Sequence, residues 1–214
     1  MSDEITTPLN NDQNRNFRSF FYNNKKSLIS IILIFFFILF TYFFYDDYKK
    51  NNKTEISEKY NSAIISFNKN DSSQSIIEMK NIIEAQDPTY SPLALYFLLD
   101  NNLLDKKDEI NQYFDNLIYK TKLPSEVKNL IIFKKGLFNS EEASEEELLN
   151  IFSPLINTDN LWKSHAMYII AEYFFSKNEK QKSKEFFEQI ISLDKVNSKI
   201  KIEAQKRLRA EFSE

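Results

Sequence analysis

The residue best suited to chemistry in this chain is His165, the single histidine among 214 residues. A metal site built on imidazole needs further histidines or converging carboxylates around it, and no such spacing surrounds His165. Cysteine is absent, so the chain has no disulfide, thiolate nucleophile or thiolate metal ligand. We therefore expect His165 to pack within or on a helix rather than to bind a metal ion.

The other candidate residues also favour packing or solvation over chemistry. Trp162 stands at a helix start, where packing between helices is expected rather than a ligand platform. The acidic run Glu141, Glu142 and Glu145–Glu147 allows a binding patch, but acids at a helix N-terminus also suit the helix dipole. No glycine-rich phosphate loop and no Ser/His/Asp set is present. The sequence thus predicts neither an enzyme nor a cofactor.

Composition narrows the fold class. The chain holds one glycine, Gly136, and five prolines. Doubly wound and all-β folds need glycine at tight turns and close backbone approaches. A net charge of −3 gives no indication of a nucleic-acid partner, and no small-molecule substrate is expected. We therefore predict an all-α protein built of helices with short polar connections.

One stretch has the properties of a membrane span. Residues 27–45 read SLISIILIFFFILFTYFFY without a charge, and as a helix they extend roughly 28 Å, close to the ~30 Å hydrocarbon core. Lys25 and Lys26 precede the run, while Tyr42 and Tyr45 stand where an interfacial aromatic belt is expected. A cleaved signal peptide would end in small residues, whereas this run ends in bulky aromatics and acids. We predict an uncleaved anchor.

The predicted organisation therefore has three parts. A polar tail occupies residues 1–26, the transmembrane helix 27–45, and a single helical domain 46–214. Basic residues flank both sides of the span in equal number, so the positive-inside rule does not decide the orientation.

Apolar residues recur at helical spacing from Ile56 to Phe212, with polar breaks between the stripes. The pattern predicts about nine helices, grouped as four antiparallel hairpins with a terminal cap. Each hairpin has about 31 to 38 residues, a period typical of helical solenoids. Three helix starts are marked by local signals, namely the capping-box spacings Asp71/Gln74 and Ser144/Glu147 and the N-cap-plus-proline pair Ser91-Pro92.

The last hairpin resembles a tetratricopeptide repeat, in which small residues let two helices approach and large ones fill the gap. Ile190 and Lys195 depart from that pattern. A weaker copy lies near the start of the domain, and the two middle hairpins match in length but poorly at the small positions. The predicted solenoid is therefore degenerate. Its repeat-packing residues are Ala63, Ser75, Met79, Met167, Ile170, Ala171, Phe174, Ser183, Phe187 and Ile190.

The whole layout, a polar tail, one span and four hairpins with Leu161-Trp162-Lys163 before the last, resembles a bacterial family. These are tetratricopeptide-like proteins of the inner membrane, related to the ancillary subunit of the Sec translocon. The resemblance implies a cytoplasmic N-terminus, a periplasmic domain and a role in handling newly exported proteins. Its expected partners are translocon subunits or exported polypeptides, and the lipid bilayer. The alternative is a structural or assembly subunit of another membrane complex.

Overall fold

The computed structural model describes residues 25–69 and 71–212, except for the side chains at 27–29, 31, 32, 45, 46, 48 and 49. The described residues are helical with no strand, which confirms the predicted all-α class. A π-helical turn, Asn116–Lys120, follows α4 directly. The helices are α1 Lys25–Asn68, α2 Ser72–Glu84, α3 Tyr90–Asp100, α4 Lys107–Asp115, α5 Ser125–Asn139, α6 Glu145–Ile156, α7 Lys163–Ser176, α8 Lys180–Ser192 and α9 Ser198–Phe212.

Contacts divide the chain into two units that meet between Glu55 and Ile56, ten residues beyond the predicted start of the helical domain. In the first unit, α1 exposes its large apolar side chains from Leu33 to Phe44. The hydroxyl of Thr41 donates to the carbonyl of Phe37 one turn earlier, so it leaves no free polar group. Among the described residues, no helix meets the length and apolarity that a membrane crossing requires.

The predicted interface residues belong to this first unit. Lys25, Lys26 and Tyr42 are exposed. The side chain of Tyr45 and the tail 1–24 lie outside the described residues. Their assignment to a membrane interface stays a prediction.

The second unit, from Ile56 onward, is an array of helices that alternate in direction. We call 56–68, α3, α5 and α7 the first helices, and α2, α4, α6 and α8 the second helices. Tyr90 donates a 2.8 Å hydrogen bond to Ser57, and the rings of Phe67 and Phe97 lie 5.2 Å apart. The first contact joins the starts of the two helices and the second contact joins their ends, so these neighbouring first helices run in the same direction.

Because the first helices are parallel, the loops that precede them share one end of the array with Ile56. We call this the Ile56 end; its loops are 85–89, 121–124, 157–162 and 193–197. The described loop residues at the other end are 69, 71, 101–106, 140–144 and 177–179. This other end carries the acidic run, and we call it the acidic end.

The core of the array is apolar and continuous across the hairpins, with Phe114, Phe152 and Leu95 among its fully buried side chains. A second cluster joins α7 and α8 to α9 around Ala204. The ten predicted repeat-packing residues all lie in the interior, each at most 4% exposed, and they are Ala63, Ser75, Met79, Met167, Ile170, Ala171, Phe174, Ser183, Phe187 and Ile190.

Two of the three predicted helix starts have the expected cap. Ser144 and Glu147 form a full capping box, with the Glu147 amide donating to the Ser144 hydroxyl and the Ser144 amide to the Glu147 carboxylate. Asp71 accepts from the Gln74 amide as predicted. The return bond is absent here because the Gln74 side chain donates to Glu78 instead.

The prediction that Ser91 is an N-cap is wrong. Helix α3 begins at Tyr90, two residues before the predicted first helical residue Pro92. Asp87 caps this start, because its carboxylate accepts from the amides of Thr89 and Tyr90 at 2.8 and 2.7 Å. Ser91 is instead fully buried and donates a 2.6 Å hydrogen bond to the carbonyl of Ile82. Its role is to let α2 and α3 pack closely.

Candidate protein-binding face

The outward sides of the first helices are unusually apolar for a solvent-facing surface. On α3, Leu93 is 42% exposed, and on α5, Leu137 is 43% exposed. Tyr96, Phe133 and their neighbours are half-buried beside them. We call this surface the first-helix face; it comprises Leu93, Tyr96, Phe97, Leu130, Phe133, Lys134, Leu137, Trp162, His165 and Ile169.

Contacts between helices make the first-helix face a continuous strip. The Lys134 ammonium lies 5.8 Å from the centre of the Tyr96 ring, which links α5 to α3. Phe133 stacks on Trp162 with ring centres 5.0 Å apart, and Trp162 in turn lies 5.3 Å from His165. The strip therefore runs from α3 across α5 to the start of α7.

The outward sides of the second helices are polar by contrast. Ile77 on α2, which is 55% exposed, is an apolar exception among the exposed residues on these sides. The others include Ser73, Gln74, Asn81, Asp108, Gln112, Glu146, Glu147, Asn150, Gln181, Glu185 and Glu188. The exposed side chains of the first and second helices thus differ in chemistry.

Tyr96 adds a polar group to the centre of the strip. Its hydroxyl is buried, and the described residues give it no hydrogen-bond partner. Burial, and to a lesser extent Asp100, raises the pKa of Tyr96 to about 12. The phenol is therefore neutral at physiological pH and retains a proton to donate.

His165 lies at the α7 end of the strip, packed against aromatic rings. The edge of its imidazole meets Phe133 at 5.9 Å between ring centres. Burial lowers the pKa of His165, and the carbonyl of Leu161 acts in the opposite direction. The lowered pKa makes His165 neutral at pH 7. The part of the chain that the structure describes contains no group of three or more His, Asp or Glu residues placed to hold a metal ion.

A groove of about 640 Å³ opens beside His165, at the Ile56 end. Glu126, Trp162 and Asn197 line it, so the starts of α5, α7 and α9 meet there. Asp159 and Lys195 close one side with a 2.6 Å ion pair, which lowers the pKa of Asp159.

A second groove, of about 690 Å³, lies at the acidic end near the start of α4. Lys80 and Lys107 line it, but each already pairs with a carboxylate. Lys80 lies 2.6 Å from Glu109, and Lys107 lies 2.8 Å from Glu142. Lys106 and Asp108 also line this groove, so its charge is mixed.

The residues predicted from the sequence and the residues of the strip are different sets. The ten repeat-packing residues are interior and lie on residues 56–68, α2, α7 and α8. The strip lies on α3, α5 and the start of α7, so the two sets share only α7. Trp162 and His165 were predicted to pack, and they do so while also forming part of the strip. The sequence contains one signal that could have predicted the strip. On α3, Leu93, Tyr96 and Phe97 form a second apolar stripe opposite the buried side of the helix. No protein-family model, curated protein or solved structure matches this chain.

Proposed function

We propose that this protein is a non-catalytic scaffold that binds other proteins through the first-helix face. The observation that supports this proposal is the chemical difference between the two faces of the array. The first helices expose Leu93 and Leu137 beside aromatic rings, whereas the second helices expose almost only polar side chains. An apolar strip of this kind suits an apolar segment of a partner protein.

The strip offers the components of a specific protein interface. Aromatic residues such as Phe133 and Trp162 provide large, rigid contact area, the type that carries most binding energy. Lys134 adds an exposed charge beside the Tyr96 ring. A bound segment with apolar side chains and an acidic side chain near Lys134 would match this surface.

We also propose that the protein is held in a bacterial inner membrane by residues 27–45, with the array in the periplasm. The uncharged run in the sequence and the exposed apolar side chains of α1 from Leu33 to Phe44 support the anchor. The compartment and the handling of exported proteins near the Sec translocon follow from the family resemblance alone. The alternative is a fixed subunit of another membrane complex.

The protein-binding role is tested by placing a photo-crosslinking amino acid at single positions in the full-length chain. Leu93 and Leu137 probe the strip, and Ile77 is the control, because it is an apolar residue on a second helix and is more exposed, at 55% against 42% and 43%. We expect discrete crosslinked partners from Leu93 and Leu137 and none from Ile77. Equal crosslinking from all three positions would contradict a binding site on the first-helix face.

The identity of the partner then distinguishes a role in handling exported proteins from a role as a fixed subunit of another membrane complex. Full-length protein is purified in mild detergent and its partners are identified by mass spectrometry, alongside a variant in which an unrelated transmembrane helix replaces 27–45. Translocon subunits or exported proteins support the export role, and the variant shows whether the span or the array recruits them. A single other complex at fixed stoichiometry makes the protein an assembly subunit.

A further inference from the structure

The Ile56 end carries the two most exposed large apolar side chains of residues 56–212. Tyr119, in the π-helical turn after α4, is 76% exposed, and Leu161, in the loop before α7, is 73% exposed. Trp162 follows Leu161 directly and is half-buried. Neither exposed side chain belongs to the core, so packing within the array does not explain them.

Lysines surround these apolar side chains. Lys120 and Lys122 flank the Tyr119 turn and are exposed. Further lysines at this end include Lys128, Lys163, Lys195, Lys199 and Lys201. The acids at the same end include Glu84, Asp87, Glu126, Asp159 and Asp194, and of these Asp159 pairs with Lys195.

The acidic end has the opposite character. Its loop between α5 and α6, with the first turn of α6, carries the run Glu141, Glu142 and Glu145–Glu147. Lys107 and Lys182 neutralise only Glu142 and Glu145 of this run. An anionic surface would therefore repel the acidic end and accept the Ile56 end.

Tyrosine, tryptophan and lysine around an exposed leucine match the chemistry of the membrane–water interface. Aromatic rings with a polar edge favour the head-group level, and lysines are attracted to anionic lipids. The apolar body of Leu161 gains by leaving water.

Chain connectivity keeps this end near a bilayer if residues 27–45 are the anchor, a condition that rests on the proposed function. Only residues 46–55 separate Tyr45 from Ile56, and a chain of that length reaches at most about 35 Å. A connection no longer than this keeps the Ile56 end close to the lipid surface. Weak contacts are sufficient for docking under these conditions.

We propose that the Ile56 end docks on the anionic surface of the bilayer, with Leu161 and Tyr119 at interfacial depth. The first helices then begin at the lipid surface, and the acidic end points away from it. The first-helix face would stand beside the membrane, where a segment emerging from the bilayer can reach it.

The test uses Trp162, which is the only tryptophan in the chain and lies beside Leu161. Full-length protein is reconstituted in phosphatidylcholine vesicles with about one quarter phosphatidylglycerol. A doxyl quencher is placed either high or low on the acyl chain. We expect the shallow quencher to reduce Trp162 emission by about half and the deep quencher to reduce it less, as interfacial depth requires.

Variants keep the test specific. Lys120→Glu with Lys122→Glu, and separately Leu161→Asp, should abolish most of the quenching, because they remove charge attraction and apolar insertion at exposed positions. Lys177→Glu with Lys180→Glu, at the acidic end, should leave quenching unchanged. Circular dichroism that matches the unaltered protein shows that each variant folds.

Two outcomes separate this inference from the anchor on which it rests. Protein that fails to float with the vesicles contradicts the anchor. Protein that floats, yet shows the same Trp162 emission with and without quencher, overturns the docking proposal while leaving the anchor intact. Quenching that is equal in pure phosphatidylcholine and in half-molar salt overturns the role of the lysines.

Discussion

At the scale of single residues, Gly136 is required by one close contact. It lies on α5 against the ring of Phe152 from α6, and a Cβ at this position would meet ring atoms at 2.2 Å. Phe152 is fully buried, so its ring cannot move aside freely. We expect Gly136→Ala to lower the free energy of unfolding by about 1–3 kcal/mol through overpacking, although alanine favours a helix by about 1 kcal/mol.

The measurement is urea unfolding of residues 56–214, followed by Trp162 fluorescence. The double variant Gly136→Ala with Phe152→Leu serves as control, because removing the ring should make the two losses less than additive. A Gly136→Ala protein as stable as the original would show that Phe152 repacks without cost.

His165 should give the array a pH dependence near neutrality. Its pKa in the folded protein is lowered by burial, so between that pKa and the ordinary value of 6.5 the unfolded chain binds more protons. Stability is therefore full above pH 6.5 and falls as the pH drops towards the folded-state pKa. His165→Gln should flatten this dependence.

Urea unfolding at pH 7.5 and pH 5.5 measures the effect in both proteins. The carboxyls with lowered pKa, such as Asp159 and Glu142, start from ordinary values well below this window and change little within it. If His165→Gln loses as much stability between pH 7.5 and pH 5.5 as the original protein, the pH dependence comes from other groups.

At the scale of elements, α9 is held to α7 by a polar pair as well as by apolar packing. Arg207 donates to both carboxylate oxygens of Glu172, one at 2.7 Å, and its guanidinium lies 4.8 Å from the centre of the Phe175 ring. The pair raises the pKa of Arg207 above its already high value. Ala204 anchors the apolar side of the same helix.

We expect Arg207→Ala to destabilise the docking of α9 by about 1–3 kcal/mol, because a hydrogen bond to a charged partner is lost and Glu172 is left without its cation. Hydrogen exchange of the amides in 198–212 measures this directly. Lys206→Ala is the matched control; it removes a more exposed pair with Glu203 and should change exchange by less than about 1 kcal/mol. Equal changes of exchange in the two variants would show that the Arg207–Glu172 pair does not stabilise the docking of α9.

At the scale of the whole molecule, residues 27–45 should decide where the protein resides. We expect the full-length chain to stay in the membrane pellet after alkaline extraction, because its uncharged run can remain in lipid without burying a charge. A chain that begins at Ile56 should appear in the supernatant. Release of the full-length protein by alkali would contradict the anchor.

The local sequence was sufficient to predict the helical elements, because their signals act within one or two turns. A single glycine and recurring apolar stripes indicated helices throughout, and the Ser144/Glu147 box begins α6 as predicted. The ten repeat-packing residues have the small or apolar character that an interior position needs. The sequence was misleading at Ser91, since a serine before a proline serves equally as a cap or as a close-packing residue.

Only the tertiary structure decided which surfaces matter. The burial of Ser91 against Ile82 depends on the approach of a neighbouring helix, and the need for glycine at 136 depends on a ring from α6. The strip formed by Tyr96, Lys134 and Trp162 joins three helices separated along the chain. Periodicity within one helix shows that it has an apolar side, whereas packing determines which apolar side stays exposed. The sequence determined the elements, and the contacts between them determined the candidate site.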